Sequence, residues 1–153
     1  MKILMKSSQH LISVLLLVVL SSLLLGCAAP ALVVTPTAGG ADPLFINMTT
    51  DDPHRANMAL SFGMKQLDLG HPLTVFLNDK GVFVGTTVNA EQFAEQQKTI
   101  TTLLEKGAVV YSCPMCMQLY GVNEADLLPG ILVSNPDAIG GALFKADTKT
   151  LTW

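Results

Sequence analysis

From Leu44 onward the chain alternates short apolar runs with segments of helical period, and this alternation restricts the fold more than any other feature. Leu44 to Met48 reads as a first strand. Asp52-Pro53 then starts a helix, with Asp as N-cap and Pro at the first helical position. Ala56, Ala59, Leu60, Gly63, Met64 and Leu67 share one face of it, and the helix runs to about Leu69 and stops at Gly70. Leu73 to Leu77 is a second strand, followed by a turn at Asn78-Asp79-Lys80-Gly81. Asn89 to Lys106 is a second helix, with Asn89 and Gln92 as a capping box and Gly107 closing it. Ala108 to Ser112 is apolar on successive residues, the pattern of a strand buried on both faces. A short helix from Pro114 to Tyr120 ends at Gly121. Ile131 to Ser134 is a strand or an extended loop, Pro136 to Phe144 a weaker helix, and Thr148 to Trp153 a last strand. Strand and helix in alternation predict a three-layer α/β/α domain with a mostly parallel sheet of about five strands.

The segment before that domain has a different character. Lys2 and Lys6 precede a nearly unbroken aliphatic run from Leu11 to Leu25, and Leu24-Leu25-Gly26-Cys27 follows at once. This is the layout of an export signal, and its end resembles the bacterial lipobox, whose cysteine is acylated and becomes the mature N-terminus. Residues 1–26 are therefore read as a lipoprotein signal peptide and Cys27 as the lipidated residue. Residues 27–43, rich in Ala, Pro, Thr and Gly, form a flexible tether, and residues 44–153 form the α/β domain. Ala28 follows the cysteine, which by resemblance to sorted lipoproteins points to the periplasmic side of the envelope, anchored in the outer membrane. An uncleaved anchor from Leu11 to Val34 is the plainer alternative.

Charge narrows the partners. Removing Lys2 and Lys6 with the leader leaves seven of the nine basic residues against all twelve acidic ones, a charge of −5. No basic patch for nucleic acid emerges. Of three cysteines, Cys27 is assigned to lipid, so Cys113 and Cys116 remain as a C-x-x-C pair in an oxidising compartment.

The stretch "FINMTTDDPHRANMALSFGMKQLDLGHPLTVFLNDKGVFVG", with "LLEKGAVVYSCPMCMQLYGV", "DLLPG" and the closing "TLTW", is similar to the DsrE/DsrF-like family over roughly Leu44 to Trp153. The resemblance implies a compact α/β subunit that assembles as a homo-oligomer, a trimer or hexamer. It also implies sulfur handling, in which a cysteine just after the third strand carries a persulfide and passes it on. Cys113 stands at that position.

The residues around it carry their own argument. Cys113 follows a strand and precedes Pro114, which sets its sulfur beside the free N–H groups and positive end of a helix, where thiolate is favoured. The C-terminal edge of a parallel sheet is also where ligands bind in such folds. Cys116, three residues on, lies on the same side of the helix as a resolving thiol or second ligand. Thiol or persulfide exchange through Cys113, with Cys116 as partner, is the leading expectation. The alternative is Cu(I) or another soft metal held by Cys113, Cys116 and Met117 for binding or delivery, since thiolate and thioether suit such ions. Met115 and Met117 point to different sides of a helix, so at most one joins readily, and core packing is the ordinary use of Met. A structural disulfide or two buried thiols is the bland reading.

His54 near the end of the first strand is a solvated helix-start residue or faces the same edge. His71 is read as a turn residue, and Asp51 and Asp52 as caps rather than an acid pair. No Ser-His-Asp order, Gly-rich phosphate loop or second Cys/His pair for zinc is present. On the first helix Met58, Phe62 and Leu69 fall about 200° from the core stripe, an apolar line that calls for a partner.

Overall fold

A computed structural model of the protein describes residues 41–153. The expected signal peptide, Cys27 and most of the expected tether lie outside the described residues. The domain runs β1 (Leu44–Met48), α1 (Pro53–Asp68), β2 (Leu73–Leu77), α2 (Ala90–Glu105), β3 (Val109–Ser112), α3 (Pro114–Tyr120), β4 (Leu132–Val133), α4 (Pro136–Leu143) and β5 (Lys149–Thr152). All five strands are parallel, in the order β4-β3-β2-β1-β5. The first four strands therefore step in one direction across the sheet, and the last connection doubles back to place β5 beside β1. The three-layer expectation holds, with a sheet that is parallel throughout.

The two layers differ greatly in depth. Ile46 and Met48 of β1, Val75 and Leu77 of β2 and Val110 of β3 are fully buried beneath Ala56, Ala59 and Leu60 of α1 and Phe93, Ile100 and Leu103 of α2. Fully burying one such side chain contributes roughly 1.5–3 kcal/mol, so this face supplies most of the cohesion. The opposite face is thin. The single helix α4 lies over it, with Ile139 and Leu143 facing Phe45 and Phe76. No helix among the described residues covers β3 and β4 there, which corrects one expectation. β3 is not buried on both faces, because Val109 remains 36% exposed, and Leu132 of β4, paired with Tyr111, is exposed too.

Local signals account for most boundaries. Asp52 caps α1, its carboxylate accepting from the Arg55 N–H at 2.8 Å, with Pro53 next. Asp51 does not cap the helix as expected. Its carboxylate lies 3.9 Å from the Lys80 ammonium. The capping box at Asn89 and Gln92 also fails to form, because Asn89 turns its amide back to the Phe83 carbonyl and the Thr86 hydroxyl. The preceding residues are already wound in 3-10 turns (Asp79–Gly85 and Thr87–Asn89), which present those acceptors first, and α2 is irregular at Phe93. On α1, Met58, Phe62 and Leu69 are exposed as the helical spacing requires, and Phe62 leans on Trp153 with ring centroids 6.1 Å apart.

Candidate functional site

Both cysteines lie at the C-terminal edge of the sheet, just beyond β3. The Cys113 N–H donates to the Leu77 carbonyl at 3.0 Å, extending the β2–β3 ladder by one bond. Cys113 then occupies the N-cap of α3 in an extended conformation, with Pro114 at the first helical position. α3 ends after seven residues at Gly121, whose φ of +68° is the left-handed value that suits glycine. One part of the expectation is not met. The Cys113 side chain makes no capping hydrogen bond, so its sulfur is not held by the N–H groups of α3. It lines instead a cavity of about 370 Å3 formed with Phe76, Pro114, Met115, Asn135 and Ile139.

Cys116 is placed very differently. Its thiol donates to the Asn78 side-chain oxygen at 3.1 Å and accepts from the Asp79 N–H at 3.2 Å. Asn78 is fixed in turn by its own bonds: its oxygen also accepts the Asp79 N–H at 2.9 Å, and its amide donates to the Asn47 side chain at 3.3 Å. Asp79 has a φ of +45°, and its carboxylate accepts a short hydrogen bond from the Tyr120 hydroxyl. Burial pushes the Cys116 thiol up to about 11; the neighbouring Cys113 thiol adds to this, and the Asp79 N–H partly offsets it. At neutral pH Cys116 therefore keeps its proton. Both cysteines are free thiols in this structure.

Sequence reading singled out neither Asn78, Asp79 nor Tyr120 as part of the site, taking the first two as a plain turn. The available signal was topological. Loops that follow neighbouring parallel strands meet at one edge, so the turn after β2 was bound to face the segment after β3.

The remaining candidates separate. Met117 is 5% exposed and packed in the core, so a Cu(I) site would have to draw it out, whereas Met115 is 79% exposed at the cavity rim. No group of three or more His, Cys, Asp or Glu side chains among the described residues is arranged to hold a metal ion. His54 is exposed on the first turn of α1 and does not line the Cys113 cavity. His71 is a turn residue as read, its Nδ1 lying 2.9 Å from the Asp42 carbonyl oxygen. A larger cavity of about 460 Å3 lies between α1 and α2, but Asn57, Lys65, Glu95 and Lys98 line it and neither cysteine reaches it.

A model of the DsrE/DsrF-like family matches residues 44–149. The uncharacterized protein MK0008 of Methanopyrus kandleri is 31% identical over 78 residues, which are 50% of this chain and span 64% of that protein's length. The uncharacterized protein MJ0989 of Methanocaldococcus jannaschii is 31% identical over 90 residues, 56% of this chain and 79% of that protein. Among solved structures, the protein of unknown function MTH1491 from Methanobacterium thermoautotrophicum matches with a TM-score of 0.56 at 16% identity, covering 72% of this chain and 98% of its own. The ychN protein from E. coli matches with a TM-score of 0.55, also at 16% identity, covering 74% and 99%. These two structural likenesses concern the fold alone.

Proposed function

The chain belongs to the DsrE/DsrF-like family, and from that premise we propose that it exchanges thiol-bound sulfur through Cys113, with Cys116 as partner, while tethered outside the cytoplasm by lipid on Cys27. The observation that supports this reading best is the asymmetry of the pair. Cys113 opens onto a cavity, whereas Cys116 is hydrogen-bonded on two sides and held protonated. In the exchange, the Cys113 thiolate attacks the outer sulfur of a donor persulfide R–S–SH. The donor S–S bond breaks, R–S⁻ leaves, and Cys113–S–SH forms with no net oxidation. An acceptor thiolate then takes the outer sulfur, or Cys116 loses its proton and attacks Cys113, expelling HS⁻ and leaving a Cys113–Cys116 disulfide.

Alkylation of the reduced protein with limiting iodoacetamide tests the pair. At neutral pH Cys113 should label first. Cys116 labelling should rise about tenfold per pH unit toward its raised value, because the thiolate is the reacting form and its fraction grows by that factor below the pKa. Cys116 labelling first, or neither cysteine labelling in the folded protein, would sink the reading. Protection of both sulfurs by added Cu(I) would favour soft-metal delivery instead.

Two further elements of the proposal have their own tests. The lipid on Cys27 predicts that the mature protein partitions into detergent and that Cys27→Ser leaves it unprocessed or released; an unlipidated mature N-terminus near Ala41 contradicts it. The exposed line of Met58, Phe62 and Leu69 supports a homo-oligomer, a trimer or hexamer by family, with Phe62 at or near the contact. Light scattering should show a multiple of the subunit mass that Phe62→Glu lowers. A clean monomer of the unaltered protein at high micromolar concentration rules this out.

A further inference from the structure

We infer that the cavity beside Cys113 selects an uncharged, apolar sulfur compound: a disulfide, or a persulfide in its protonated R–S–SH form, whose sulfur carries a small aliphatic or aromatic group. The inference rests on the sulfur-exchange reading above and adds the substrate class. Phe76, Met115 and Ile139 give the cavity apolar walls, and Pro114 and Pro136 complete them. No charged side chain among the described residues lines it. Its polar groups are few and partly committed: the Asn135 side-chain oxygen accepts the Ala138 N–H at 2.9 Å, and the Ser134 N–H donates to the Ser112 carbonyl at 2.9 Å. Two helices begin at its edge, each with proline at its first position, which removes one of the N–H groups a helix start would offer an anion, and Asn135 takes up the Ala138 N–H of the second.

An anion entering such a site would lose water and meet no charged partner, only the Asn135 amide and the Ser134 hydroxyl at one side, a cost that apolar groups do not incur. The volume of about 370 Å3 falls in the usual range for small-molecule sites. At roughly 30 Å3 per atom it admits on the order of ten non-hydrogen atoms. With a disulfide R–S–S–R′, Cys113 displaces R′–S⁻ and forms Cys113–S–S–R, leaving R in the cavity. Cys116 then displaces R–S⁻ and closes the Cys113–Cys116 disulfide, so the substrate gains the two electrons the pair loses.

Methanethiosulfonates test this, because all release the same methanesulfinate while transferring different groups. The full-length Cys116→Ser protein, which cannot resolve the adduct, is treated with benzyl and 2-sulfonatoethyl reagents, and modification of Cys113 is followed by peptide mass. Relative to glutathione, Cys113 should prefer benzyl over sulfonatoethyl by about tenfold or more, the scale of discrimination an apolar pocket gives. Ile139→Arg should shrink that preference. Met115→Arg, at the exposed rim where folding is not at stake, should do so as well. A preference equal to that of glutathione, with Cys113 still reactive, would overturn the inference and leave sulfur exchange standing. A Cys113 that reacts with neither reagent would remove the exchange reading itself and the inference with it.

Discussion

Cys113→Ser should reduce sulfur exchange to the rate seen with no protein present, whereas Cys116→Ser should leave the first attack intact and trap the adduct on Cys113. The two substitutions differ because the two sulfurs have different surroundings. Cys113 presents its sulfur to a cavity that admits a reactant. Cys116 is tied to Asn78 and Asp79 and would have to give up a proton that burial holds in place before it could attack. The measurement is transfer of labelled sulfane sulfur to an acceptor thiol, together with the mass of any adduct retained on the protein. A structural disulfide would behave otherwise: both substitutions would lower stability alike and neither would trap an intermediate. Comparable loss of Cu(I) binding in both variants would point to a metal pair.

The second large effect is expected at a residue with no chemistry of its own. Gly81→Ala should lower stability by about 3 kcal/mol, with a fall in melting temperature of more than about 10 °C. A Cβ at this position would sit 2.1 Å from the Met48 carbonyl oxygen and 2.9 Å from its carbon, both rigid backbone atoms. That same carbonyl accepts the Asn78 N–H at 2.9 Å, so it cannot move aside without releasing the turn. The turn is what holds Asn78 and Asp79 against Cys116. The variant should therefore also alkylate faster at Cys116 at pH 9 than the unaltered protein does. An unchanged melting temperature would show that the turn has slack which this packing does not reveal.

Much of this fold can be read from the chain, for identifiable reasons. β1 and β2 are recoverable to the residue because each is a dense apolar run closed by a strong turn signal. α1 follows from Asp52-Pro53 because a carboxylate N-cap and an N1 proline need only local geometry. The failures are equally specific. The Asn89 capping box was lost to competition from Phe83 and Thr86, acceptors made available by a 3-10 segment with no apolar period to announce it. β4 was ambiguous because it is only two residues long. Of the candidate site, the placement of Cys113 and Cys116 just beyond β3 was legible from their spacing and from the strand before them. The Asn78–Cys116 contact was not, since it joins residues 38 apart and exists only because β2 and β3 are neighbours. The cavity was hidden for the same reason, its walls coming from three separate stretches of sequence.

The parallel sheet has one more consequence, which concerns approach. Every strand starts at one rim and finishes at the other, so residues 41–43 feed into β1 at the rim opposite to the one where β3 hands over to Cys113. With five residues in β1, at roughly 3.3 Å each, the rims stand about 16 Å apart. Any attachment made upstream of residue 41 thus pulls on the far rim and leaves both thiols clear of the point of traction.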